Sequence, residues 1–87
     1  MKYAEPRPYA DHEKAAWRII EIASTIEPVQ DGRIYIELIN VPFLFRDKGS
    51  PAEYGAGIKT CIERGWLMMH ESGTFVRFTP AGADLFA

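Results

Sequence analysis

The stretch Ser50-Pro51-Ala52-Glu53 constrains this chain more than any other, because it starts a helix whose end is also written, at Gly65. A serine hydroxyl that accepts from the amide three residues on, answered by a glutamate that reaches back to the serine amide, satisfies two of the donors a helix start leaves unpaired. Pro51 has the φ a first turn requires and no amide to lose there, and Gly65 past Arg64 supplies a C-terminal stop. The spacing predicts a helix from Pro51 to Arg64. Tyr54, Ile58, Cys61 and Ile62 share one face of it at about 100° per residue, so that face is expected to be buried against another element.

A hairpin should follow. Trp66 to His70 and Thr74 to Phe78 flank Glu71-Ser72-Gly73, a turn in which glycine permits the reversal. Thr79-Pro80 repeats the cap-then-proline start, and Leu85-Phe86 anchors a short last helix. Strand alternation sets Leu67 opposite Phe78 and Met69 opposite Val76 on the core face. The reverse face carries Trp66, Met68, His70, Phe75 and Arg77. Three large apolar side chains there exceed what a solvated hairpin needs, so a cover is expected. It is either the N-terminal segment or C-terminal turn of the same chain, or else a partner protein or a second copy.

Upstream, residues 1–10 place Pro6 and Pro8 between Tyr3 and Tyr9, an extended segment that either stays in solvent or lies on the domain. Asp11 is a plausible N-cap for a helix running to about Glu27, where Pro28 disfavours helical geometry. Ala15, Ile19, Ile22 and Ile26 recur at spacings of 4, 3 and 4 and form its core face, flanked by Ala16 and Ala23. Trp17 projects roughly 150° from that stripe. It is expected to be an interface anchor or to lie under the Tyr3 to Tyr9 segment. After the turn Gln30-Asp31-Gly32, Arg33 to Ile36 reads as a short strand. Asn40 then caps a short helix from Val41 to Phe45, with Phe43 in the core.

The chain has 87 residues, 47% of them apolar, which suits one small domain, here residues 11–87 behind the N-terminal segment. Its formal charge of −2 contains no block of like sign, and composition alone offers no grip on nucleic acid or membrane. A single cysteine, no signal-type apolar run and no membrane-length stretch suggest a cytoplasmic protein. Catalytic chemistry finds no foothold. His12, His70, Cys61 and Ser50 form no motif, and Cys61 sits on an apolar helix face where a thiol behaves as a small hydrophobe. Asp11-His12-Glu13 reads as helix-start chemistry rather than a metal cluster, since adjacent residues there point in different directions. Gly55 is expected to border the buried helix face at a crossing, whereas Gly57 only weakens the helix. No enzyme activity, cofactor, metal or small-molecule ligand is expected.

The order of helix, short strand, short helix, capped helix, hairpin and short helix defines an α+β chain that resembles the winged helix-turn-helix domain. The phrase IERGWLMMHESGTFVRFTPAGADLF is similar to the end of wing-bearing bacterial regulators of the MarR and PadR type, and to short bacterial winged-helix proteins of open function. The resemblance covers about residues 11 to 87 and implies a recognition helix from Pro51 to Arg64 with the hairpin as wing. It implies a DNA-binding contact set of Lys59, Thr60, Arg64 and Arg77, with phosphate roles for the cations and a base-edge role for Thr60. The outward positions read from the helix are Ala52, Glu53, Ala56, Lys59, Thr60 and Glu63, one cation against two carboxylates. DNA binders usually present a basic footprint, so a second reading stands beside the first. In it the same fold serves as a protein-interaction or homodimer module through Trp17, Trp66, Met68 and Phe75.

Overall fold

A computed structural model describes residues 7–86 of the chain. Helix α1 (His12–Ser24) is followed by strand β1 (Ile34–Tyr35), helix α2 (Ile36–Val41), helix α3 (Pro51–Glu63), strands β2 (Leu67–Met69) and β3 (Phe75–Phe78), and helix α4 (Pro80–Asp84). The three strands form one antiparallel sheet in the order β1-β3-β2. Leu67 faces Phe78 and Met69 faces Val76, the register that alternation predicts. Ile34 joins from β1 opposite Val76, so the inner sheet face closes on the helices.

Of the four predicted caps, those at Asp11, Ser50 and Thr79 form. Asp11 accepts from the Glu13 amide at 2.9 Å. Ser50 accepts from the Glu53 amide at 3.1 Å while the Glu53 carboxylate accepts from the Ser50 amide at 2.9 Å. Helix α1 stops at Ser24, earlier than Glu27, because the Ser24 and Thr25 hydroxyls donate back to the Glu21 and Ile22 carbonyls at 2.6 and 2.7 Å and end the regular ladder. Asn40 does not cap a helix. Helix α2 starts directly off β1 and continues past Asn40 into a wider turn, Pro42–Arg46. Pro42 has no N–H to offer the preceding turn, and its carbonyl instead accepts from the Asp47 amide five residues on, at 3.0 Å. That wide turn drives Phe43 into the core, where the rings of Tyr9 and Tyr54 lie 4.9 and 5.8 Å away. Gly49 packs directly beside it, since a Cβ there would overlap the Phe43 ring.

The helix crossing that organises the core differs from the expected one. Gly57, not Gly55, is the contact glycine: a Cβ on Gly57 would lie 2.6 Å from the Ile19 side chain and 2.9 Å from that of Ala15, whereas nothing lies within 4 Å of Gly55. Cys61 Sγ reaches the Ala16 carbonyl at 3.4 Å across the same crossing. Gly57, Ile58, Thr60 and Cys61 are buried and Ile62 is exposed, so the buried face of α3 is turned by about 60° from the stripe through Tyr54, Ile58, Cys61 and Ile62. A glycine backbone lets α1 come closest on its own side, and the helix rotates to present it.

Of residues 1–10, Tyr3 and the rest of 1–6 lie outside the described residues. Pro8–Ala10 makes one tight helical turn, and Tyr9 packs on the core cluster.

Two substitutions separate the two glycines. Gly57→Ala is expected to cost roughly 0 to 2 kcal/mol, an overpacking cost of about 1 to 3 offset by about 1 of helix propensity gained. Gly55→Ala is expected to stabilise by about 0.5 to 1 kcal/mol. Urea denaturation of both variants checks this, and equal effects would mean that α1 does not cross at Gly57.

Candidate functional site

Three surfaces come under consideration: the outer face of α3 with the turn before it, the outer face of the sheet, and the outer face of α2.

On α3 the charges are decided by distant parts of the chain. Glu53 is held by its own capping box and by Arg7, whose Nε and Nη2 donate to its two carboxylate oxygens at 2.7 and 2.8 Å. The Arg7 hydrogen bonds, then the Ser50 amide, lower the Glu53 carboxyl from its ordinary 4.5 to about 2, and the same pair raises Arg7. In the turn before α3, Arg18 grips Asp47 with two bonds of 2.8 and 3.2 Å and holds that carboxyl below its usual range. Arg18 thereby straps α1 to the α2–α3 turn. At the far end of α3, Arg64 pairs with Glu13 of α1 and lies 5.6 Å from the Trp66 ring centre. Among the described residues Lys48, Lys59 and Arg77 make no ion pair.

Thr60 is therefore not an outward base-reading residue. It is 6% exposed, donates to the Ala56 carbonyl at 2.9 Å and lies 3.2 Å from His12 Nδ1 on α1. The helix wheel misplaced it for the reason given above: α1 approaches over Gly57, and Thr60 is one turn further along that line. Arg64 is half exposed, but its charge is already matched. What α3 presents to solvent is Ala52, Gly55, Ala56, Lys59, Ile62 and Glu63. Cys61 is fully buried, and burial pushes its thiol up to about 12, so at neutral pH it serves packing and not nucleophilic chemistry. The described residues contain no group of three metal-ligating side chains, and no helix among them is long and apolar enough to cross a membrane.

The sheet's outer face is covered by means other than those expected. Trp66 is 9% exposed and packs on Trp17, ring centres 4.9 Å apart, so Trp17 covers Trp66 while itself staying 43% exposed. Phe75 is 8% exposed beneath Tyr35 at 6.4 Å, a stacked His70 at 4.3 Å and the Arg33 guanidinium at 4.6 Å. Neither Trp66 nor Phe75 is open to a partner. Met68 remains more than half exposed, and Trp17 stays open to solvent beside Trp66. Met68 and Arg77 face each other across the hairpin and rim an apolar groove of about 600 Å³ that runs past Ile26, Pro28 and Phe86.

The outer face of α2 is what the sequence reading missed. Tyr35, Leu38, Val41 and Phe45 are 43, 48, 52 and 70% exposed, and their spacing of 3, 3 and 4 makes one apolar stripe. The signal was present in the sequence, but starting the helix at Asn40 divided the stripe between two elements.

An NMR titration of the Glu53 carboxyl tests the ion-pair geometry. A depressed carboxyl contributes stability that is present above its unfolded value and lost as pH falls through the folded one, here the window from about 4.5 down to about 2. The midpoint is expected at about 2 in the parent and clearly higher in Arg7→Ala. A parent midpoint of about 4.5 would show that Glu53 is free. Comparison of the chain with protein-family models, with curated proteins and with solved structures finds no match in any of the three.

Proposed function

We propose that the chain is a winged-helix DNA-binding domain, with α2, the following turn and α3 as the helix-turn-helix and the β2–β3 hairpin as the wing. The observation that carries this reading is the fate of Glu53. The acid that would repel DNA from the start of α3 is neutralised by its capping box and by Arg7, and Asp47 in the turn is neutralised by Arg18. The outward face that remains is small at its start, Ala52, Gly55 and Ala56, and further along carries Lys59, Ile62 and the acid Glu63, with Lys48 in the turn before it and Arg77 on the wing. Small side chains let a helix backbone approach a groove floor, and unpaired lysines serve phosphates as point charges. In this reading Lys48, Lys59 and Arg77 make the phosphate contacts, Arg64 is a structural brace and Thr60 takes no part.

Protein interaction is the second reading, favoured by the exposed stripe on α2, which has nothing to offer a phosphate backbone.

Titration of fluorescent random-sequence duplex DNA at about 50 and 200 mM salt separates them. Binding that weakens with salt is expected, with a slope of about −0.9 per phosphate contacted. Lys59→Glu and Arg77→Glu should each reduce that slope by roughly one contact or more. Absence of binding at the lower salt would leave protein interaction as the function.

A further inference from the structure

We propose that the groove between the end of α1, the sheet and α4 is a binding site for a free apolar α-amino acid. The inference goes beyond DNA binding, and its test is run without DNA.

The groove has a volume of about 600 Å³, inside the roughly 300 to 1,000 Å³ range of small-molecule sites. Its walls are apolar: Ala23 and Ile26 from the end of α1 and beyond, Ile34 from β1, Phe78 from β3, Ala83 from α4 and Phe86 after it. Phe78 and Phe86 meet edge to face with ring centres 6.2 Å apart, and Phe86 stays 45% exposed, so an aromatic wall stands open to what enters. One end of the groove adjoins a smaller pocket of about 300 Å³ lined by Arg33, His70, Glu71 and Phe75. Asp31, Met68 and Arg77 line both spaces, so an acid and a base stand together on the rim between them.

The charges on that rim say what fits. Arg77 makes no ion pair among the described residues, with Asp31 or with any other acid. Asp31 has only Arg33, at 4.0 Å, with its own side chain 65% exposed, and Arg33 itself lies 4.6 Å from the Phe75 ring centre. The backbone fixes Asp31 in place: its φ is 62°, and the Gly32 amide donates to the Val29 carbonyl at 3.0 Å to close the turn. An acid and a base that share a rim without pairing leave room for a group that carries both opposite charges. A lone carboxylate would be drawn to Arg77 and repelled by Asp31, and a lone amine the reverse. An α-amino acid bears an ammonium and a carboxylate on one carbon, answers both residues, and leaves its side chain for the apolar groove. A peptide end carries only one of the two charges, since the other group is spent in the amide bond, so the occupant is the free amino acid.

Chemical-shift titration of the isotope-labelled intact chain with L-phenylalanine is expected to move the amides of Ile34, Phe78 and Ala83 with a dissociation constant on the order of 0.1 to 1 mM. Phenylpropionate, which lacks the ammonium, and phenylalaninamide, which lacks the carboxylate, should each bind about 10-fold more weakly or worse. Asp31→Gly keeps the left-handed turn and should bind phenylalanine and phenylpropionate within about 2-fold of each other. Arg77→Gln should likewise lose the preference for phenylalanine over its amide. Ala83→Leu, at an exposed helix position, narrows the groove and should weaken phenylalanine by about 10-fold with the melting temperature of the parent. The proposal is overturned by groove amides that do not move at about 5 mM phenylalanine, by phenylpropionate binding as tightly as phenylalanine, by an Asp31→Gly or Arg77→Gln chain that keeps the parent's preference, or by an Ala83→Leu chain that binds like the parent.

Discussion

The close approach of α1 to α3 at Gly57 is the constraint on which the rest of the molecule depends. With no side chain at Gly57, Ala15 and Ile19 sit against the α3 backbone, and Cys61 reaches the Ala16 carbonyl one turn on. Packing this tight leaves little freedom in how α3 is rotated, because interiors tolerate neither voids nor overlap. The rotation then fixes which residues of α3 are inside and which meet solvent. It buries Thr60, frees Ile62, and brings Arg64 to Glu13 and Trp66 to Trp17.

Three ion pairs tie distant parts of the chain to one another. Arg7 with Glu53, Arg18 with Asp47 and Arg64 with Glu13 each join parts of the chain far apart in sequence, and each removes one acid and one base from the surface's free charge. Exposed pairs of this kind add little stability, so their main effect is on the field the domain presents. Around the start of α3 the surface that remains is one of small side chains with Lys48 beside them.

The apolar surface was redistributed in a parallel way. The sheet's outer face, which looked open, covers itself by pairing aromatic rings and laying Arg33 and His70 on Phe75. The exposed stripe is instead on α2, where the wide turn at Pro42 sends Phe43 inward and leaves Phe45 in solvent. One proline without an N–H thus sets both the core aromatic and the most exposed aromatic among the described residues.

The order of elements, the caps at Asp11, Ser50 and Thr79, the glycine turns and the hairpin register were determined by the sequence alone, and for a common reason. Each depends on groups a few residues apart, such as Ser50 with Glu53, or on strict alternation, such as Leu67 opposite Phe78. The α+β class follows from that order. Only the tertiary structure decided which way α3 faces, which glycine carries the crossing, where α2 begins, and which cations stay free. Those outcomes turn on contacts between residues 29 to 51 apart in the chain, as in Arg18 with Asp47 and Arg64 with Glu13. A helical stripe gives the period of burial but not its phase to better than one residue. The phase belongs to the partner helix, and here one missing side chain at Gly57 set it.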